Sequence, residues 1–151
     1  MYRTLSQPKL PAPACTWRQW HVPLAAETWT LREILASGSH VAAGQADIPL
    51  IVRLIENPEF ELPGIKLFNG AVDLATHDCI HALLGRGMLP KDEAFVIGFT
   101  MGSTNRVTET EQKLYSIAAR YLYPKAYKFR DDEIQIFKLS LIHISEPTRP
   151  Y

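Results

Sequence analysis

The run His77-Asp78-Cys79-Ile80-His81, with Glu93 after eleven intervening residues, sets imidazoles and carboxylates at a spacing that suits metal binding. On an α-helix each residue advances about 100°, so His77 and His81 project about 40° apart from neighbouring turns and can reach one ion. Asp78 lies about 60° from His81 on the same arc. It can ligate the ion, or accept the far N–H of a ligating histidine and so fix its tautomer. Asp73, four residues before His77, extends the stripe and is a further carboxylate for that orienting role. Glu93 follows the turn from Gly85 to Pro90, at the start of another helix, and a helical hairpin can fold it back towards the histidines. Nitrogen and carboxylate donors without thiolates suit a divalent metal, zinc first, with iron and manganese as alternatives. Arg86 and Lys91 flank the turn and could receive an anionic substrate.

Each of these residues also has an ordinary use. Glu93 can be a first-turn acid stabilised by the helix dipole, His77 a packed core histidine, and Arg86 and Lys91 solvated loop charges. The combination points to a site, because an otherwise apolar helix places two imidazoles and an acid on one arc. Cys79 projects away from that arc and reads as a small core residue.

The elements that must position these groups are helical. Thr30-Leu-Arg-Glu33 has the capping-box pattern and predicts a short helix that stops at Gly38. Asp47-Ile-Pro49 starts the next, in which Ile48, Ile51, Val52 and Ile55 fall at helical spacing before Asn57-Pro58. After a loop through Pro63-Gly64, a central helix is expected from about Leu67 to Leu84, with Phe68, Val72, Ala75, Cys79 and Leu83 in rhythm and Gly85 as its stop. Pro90-Lys-Asp-Glu93 opens the helix that carries Glu93. Thr108-Glu-Thr-Glu111 repeats the capping box, and Leu114, Ile117, Ala118 and Tyr121 are the expected buried face, closed by Tyr123-Pro124. No segment alternates with period two, so the fold class is all-α, a small helical domain over 31–138. Residues 1–30 hold four prolines (Pro8, Pro11, Pro13, Pro23) with Trp17, Trp20 and Trp29, which reads as an irregular arm packed on that domain. The tryptophans could cover an isoprenoid-sized groove, although core filling is their commoner use.

The 151 residues carry 16 Lys plus Arg against 16 Asp plus Glu, which excludes a bulk electrostatic attraction to nucleic acid. The two cysteines, Cys15 and Cys79, are far apart in sequence and make no disulfide framework, so a reducing compartment is expected. With no signal-like opening and no apolar run of spanning length, the expected location is cytoplasmic, at most peripheral to the inner face of a membrane. The string from Ser140 to Arg149, SLIHISEPTR, resembles the translation of a transposase-type sequencing adapter and begins near Leu139. On that reading 139–151 is a non-native tail, His143 is no ligand, and the domain is C-terminally truncated near Lys138.

The pattern His77-Asp78-x2-His81-x11-Glu93, with Leu83-Leu84-Gly85 after the second histidine, resembles the HD-x2-H-x11-E signature of the Coq-four family of ubiquinone (coenzyme Q) biosynthesis proteins. The resemblance covers about residues 68 to 95. It implies an all-helical fold, a divalent metal held by His77, Asp78, His81 and Glu93, and peripheral membrane association with a prenylated quinone precursor. It further implies oxidative removal of the ring C1 carboxyl group with hydroxylation, or organisation of the biosynthetic complex through protein partners.

Two rivals come from the residues themselves. His77-Asp78-x-x-His81 is a variant of the metalloprotease H-E-x-x-H pattern with Glu93 as third ligand, and a His-Asp pair also serves HD-type phosphohydrolases, so a metal-dependent hydrolase is one alternative. Aspartate is a methylene shorter than the usual general-base glutamate, which counts against the protease form. The other alternative is a non-catalytic prenyl-lipid-binding or scaffold protein, in which the metal only ties two helices together.

Overall fold

Six α-helices and no strand occur among the described residues of the computed structural model, which are 20–22, 28–38, 48–60 and 68–145. In order they are α1 (Leu31–Gly38), α2 (Leu50–Glu56), α3 (Leu74–Leu83), α4 (Pro90–Gly102), α5 (Glu109–Ile117) and α6 (Asp131–Ser145), with a 3-10 turn at Pro58–Phe60 and a π turn at Ala118–Leu122. The all-α expectation holds. No helix among the described residues is long and apolar enough to cross a membrane.

Both capping boxes form. Thr30 N–H donates to Glu33 Oε2 at 2.7 Å while Glu33 N–H donates to Thr30 Oγ1 at 3.3 Å, and Thr108 and Glu111 make the same exchange at 2.7 and 3.2 Å. Each cap satisfies two amide donors that the helix leaves over, worth about 1 kcal/mol. Glu111 also acts at longer range. Its Oε1 accepts the Asn69 N–H at 3.0 Å and the Asn69 side-chain amide at 2.8 Å, which ties the segment before α3 to the start of α5.

The helix expected from Leu67 to Leu84 is shorter than its apolar rhythm suggests. It starts at Leu74, because Asp73 accepts the Thr76 N–H at 3.0 Å and caps it, and because Gly70 takes a positive φ of 89° just upstream. Phe68 is buried from an irregular segment rather than from the helix. At the other end Gly85, at φ 64°, provides the left-handed turn that lets Arg86 N–H reach back to the His81 carbonyl at 2.9 Å.

The central buried element is α4, not the histidine-bearing helix. Ala94, Val96, Ile97, Gly98, Thr100, Met101 and Gly102 are all buried, so α4 is covered on every side. The main core gathers Val52 and Ile55 from α2, Ile97 and Met101 from α4, Tyr115 from α5, and Phe137 and Leu141 from α6. No sequence signal singled out a helix at 131–145, yet α6 is the principal partner of α4. Gly98 and Gly102, one turn apart, let the α6 backbone come close: a Cβ at Gly102 would stand 2.7 Å from the Leu141 carbonyl oxygen, and one at Gly98 would collide with Ser140 and Phe137. Residues past Lys138, which resemble adapter-derived sequence, therefore continue α6, and Ser140 and Leu141 fill core positions.

The buried face of α5 is turned by one residue from the expected one. Ala118 is buried as expected, but Leu114, Ile117 and Tyr121 are more than half exposed, and Tyr115, Ala119 and Tyr123 are buried in their place. A polar anchor sets the rotation: the Tyr115 and Tyr123 hydroxyls both donate to Glu56 Oε1, at 2.8 and 2.7 Å. Of the N-terminal arm, 20–22 and 28–30 are described. Trp20 is buried against Ile34 and Ala82 with its Nε1–H donating to Ser37 Oγ at 3.1 Å, and Trp29 packs on the same small cluster. These two tryptophans fill a core; Trp17, Cys15 and the arm's four prolines lie outside the described residues.

Candidate metal centre

Helix α3 runs between the small Trp20 cluster and the main core, and its two histidines face the start of α4. His77 Nε2 lies 3.0 Å from Glu93 Oε2, His81 Nε2 lies 3.0 Å from His77 Nε2, and His81 Nε2 lies 3.4 Å from Glu93 Oε2. Three donor atoms from two helices thus form a small triangle. The edges are close to the roughly 3.3 Å that tetrahedral ligands about 2.0–2.1 Å from a zinc ion keep between them.

The far side of His81 is fixed as metal-ligating histidines require. Its Nδ1–H donates to the Gly87 carbonyl at 2.8 Å, and since a carbonyl only accepts, the proton must sit on Nδ1. In neutral His81 the lone pair is then on Nε2, directed at the triangle. His81 is 1% exposed, so its ring has no solvent alternative. The carbonyl it uses belongs to the turn that follows Gly85, so the α3–α4 connection both folds Glu93 back and orients His81.

Electrostatics agree with the geometry. Burial pushes the Glu93 carboxyl up, but the hydrogen bond from His77 and the attraction of the two histidines as charges hold it well below the usual carboxylate range, although a third of the side chain stays exposed. Burial pushes His77 down, and the Glu93 hydrogen bond and charge more than reverse this, leaving it above its ordinary value. The raised proton affinity of His77 means that a proton and a cation compete for the same donor atom.

The other sequence candidates are placed differently. Asp78 stands outside the triangle; burial raises its carboxyl above the usual range while the two histidines oppose that as charges. Asp73 is the N-cap of α3, its two carboxylate oxygens taking the Thr76 N–H at 3.0 Å and the Thr76 hydroxyl at 2.6 Å, so it orients no histidine. The Arg86 guanidinium lies 3.9 Å from the centre of the Phe95 ring and 3.8 Å from Asp92, a packed position beside the turn, and Lys91 is exposed on α4.

One nearby residue carries too weak a sequence signal to be singled out. Glu56, the last residue of α2, shares a cleft with His77, and burial raises its carboxyl while the charge of His77 and the two tyrosyl hydrogen bonds pull it back. In sequence it is an acid at the end of an apolar helix, a position any solvated glutamate can hold. Searches of family models, of curated proteins and of solved structures find no match to this chain.

Proposed function

We propose that this chain binds a divalent metal through His77, His81 and Glu93 and acts as the Coq-four resemblance implies, on a prenylated quinone precursor that still carries its ring carboxyl group. The observation that carries the metal half of this reading is the 3.0, 3.0 and 3.4 Å triangle of donor atoms drawn from α3 and α4. Zinc fits the donor set first; iron and manganese fit it as well. Three protein donors leave an open coordination position, the arrangement of catalytic rather than structural sites.

An ion there would supply Lewis acidity to a phenolate or carboxylate oxygen of the ring. His77 and His81 hold it, Glu93 balances its charge, and the Gly87 carbonyl keeps His81 in the ligating tautomer. In the implied reaction the carboxyl group leaves as carbon dioxide, one atom of dioxygen enters as the ring hydroxyl, and the other is reduced to water with two electrons from an outside donor. The part assigned to this chain is to bind and orient the ring. Alanine at His81 or glutamine at Glu93 should abolish both metal retention and complementation of a quinone-deficient strain. Complementation that persists without the ligands would sink the reading.

A second reading has one observation in its favour. His77 and His81 one turn apart with a glutamate as third ligand also make a hydrolase donor set, and Asp78 is a carboxyl raised by burial beside it, as a proton-transferring acid requires. Turnover of casein or of a phosphodiester by the metal-loaded protein, lost in Asp78→Asn, would establish the hydrolase in place of the quinone role.

A further inference from the structure

The N-terminal arm lies against the turn that joins α3 to α4. Trp20 is seated there on the end of α1: its Nε1–H donates to Ser37 Oγ at 3.1 Å, and a Cβ at Gly38 would collide with the indole, so the ring fills space that only a glycine leaves. The side chain is buried with Ile34 and Ala82, and Met88 of the turn packs on the same small cluster. Ala82 directly follows His81 in α3.

The backbone of Trp20 reaches further, to Gly87. A Cβ at Gly87 would stand 2.8 Å from the Trp20 carbonyl oxygen, closer than Cβ atoms come in real structures, so this approach requires glycine. Backbone conformation does not require it, since of the two glycines in the turn only Gly85 takes a positive φ. Hydrogen bonds secure the residues on either side, from Arg86 N–H to the His81 carbonyl at 2.9 Å and from Asp92 N–H to the Leu89 carbonyl at 2.8 Å. Between them Gly87 and Met88 are packed against the arm and its cluster. The Gly87 carbonyl is the acceptor that fixes the His81 ring, at 2.8 Å from Nδ1. A chain of direct contacts therefore runs from α1 through Trp20 and Gly87 to His81, whose Nε2 is a corner of the triangle.

We propose that Trp20 is a positioning residue of the metal site: seated on α1, it holds the Gly87 carbonyl on His81 and so sets the affinity of the triangle for its ion. This rests on the metal reading above. A partner that orients a ligating histidine contributes about 10- to 100-fold to metal affinity. The reason is that a ring free to rotate, or to carry its proton on Nε2, binds only during the fraction of time it is correctly placed.

Zinc affinities of the wild type, Trp20→Ala, Gly87→Ala and the double variant, measured on the full chain by competition with a chromogenic chelator, test this. Each single substitution unseats the arm from the turn, so each should weaken zinc binding about tenfold although all three ligands remain. Once Trp20 is gone the arm can yield to a Cβ at Gly87. The double variant should then bind about tenfold more weakly than the wild type, in place of the roughly hundredfold loss of two independent effects. The main core shares no residue with the Trp20 cluster, so the variants are expected to stay helical. If Trp20→Ala fails to fold, Trp20→Phe, which keeps a ring but loses the bond to Ser37, takes its place in the cycle. A tryptophan that serves only packing would lower the melting temperature and leave zinc affinity unchanged, which overturns the proposal. Additive losses overturn it as well, because the two residues would then act by separate routes. Failure of the wild type to bind zinc overturns the metal reading, and this inference with it.

Discussion

His81 Nε2 lies 3.0 Å from His77 Nε2, with the Nδ1–H of the same His81 ring committed to the Gly87 carbonyl at 2.8 Å. Two imidazole nitrogens at hydrogen-bond distance need a proton or a cation between them. In the metal-free protein the hydrogen bond to Glu93 and its charge raise the proton affinity of His77, which places the His77 proton towards Glu93 and leaves a cation as the group that would join the two imidazoles.

It follows that metal binding displaces a proton from His77. Metal affinity should therefore rise with pH through the range just above the ordinary histidine value of 6.5, since His77 is shifted upward from it. Calorimetric titration of zinc in two buffers of different ionisation enthalpy should show about one proton released per ion near neutral pH. Binding without proton release would mean that His77 is already neutral or is not a ligand.

Stability of the metal-free chain should run the other way. His77 is raised in the folded state, so its contribution is fully present below the unfolded value of about 6.5 and is lost as pH climbs through the raised folded value. Glu93 is depressed, so its contribution is present above about 4.5 and is lost only as pH falls through the lowered value. As pH rises above about 6.5 the metal-free melting temperature should drop, whereas that of the metal-loaded protein should hold or rise. Parallel curves for the two forms would contradict the pairing.

How much of this is legible in the sequence depends on whether a signal is local. The helix starts at Leu31, Pro90 and Glu109 follow from Thr-x-x-Glu and proline patterns that act within a single turn, and the His77, His81 and Glu93 spacing is similarly short-range. Helix α3 misleads because Phe68 and Val72 keep a helical rhythm although Asp73 and Gly70 end the helix first. The α5 face misleads because Leu114 and Ile117 are more apolar than Ala118 and Ala119, yet Tyr115 and Tyr123 must reach a glutamate 59 and 67 residues away. Helix α6 is hidden once 139–151 is set aside, because Ile134 and Phe137 then lack the rest of their stripe.

The α4–α6 contact gives a sharp packing test. Gly98→Leu places a branched side chain where Ser140 and the Phe137 backbone already stand, and over-packing of this kind costs about 1–3 kcal/mol or more. Thermal melting should show a clear loss. Replacement of Leu83, which is 72% exposed, by alanine should leave it nearly unchanged.

Ending the chain at Lys138 is a second packing test. It removes Leu141, 2% exposed, and Ser140, 3% exposed, from the face of α4. Loss of the leucine alone should cost about 1.5–3 kcal/mol. Equal stability of the shortened and full chains, measured by urea unfolding, would show that the residues after Lys138 do not pack in this way.

Tyr123→Phe should separate the Glu56 anchor from the metal triangle. Loss of one hydrogen bond to Glu56 is expected to cost about 1–3 kcal/mol of stability. Metal content should stay unchanged, because neither tyrosine belongs to the triangle. Metal loss in a folded Tyr123→Phe protein, followed by circular dichroism, would place Glu56 among the ligands.

The most direct test of the central claim is the metal content of the purified full chain, measured by mass spectrometry beside a His77→Ala, His81→Ala double variant. One divalent ion per wild-type chain and none above background in the double variant are expected, both proteins being helical by circular dichroism. Background metal in a folded wild type would contradict it and leave His77, His81 and Glu93 as a buried ion pair that joins α3 to α4.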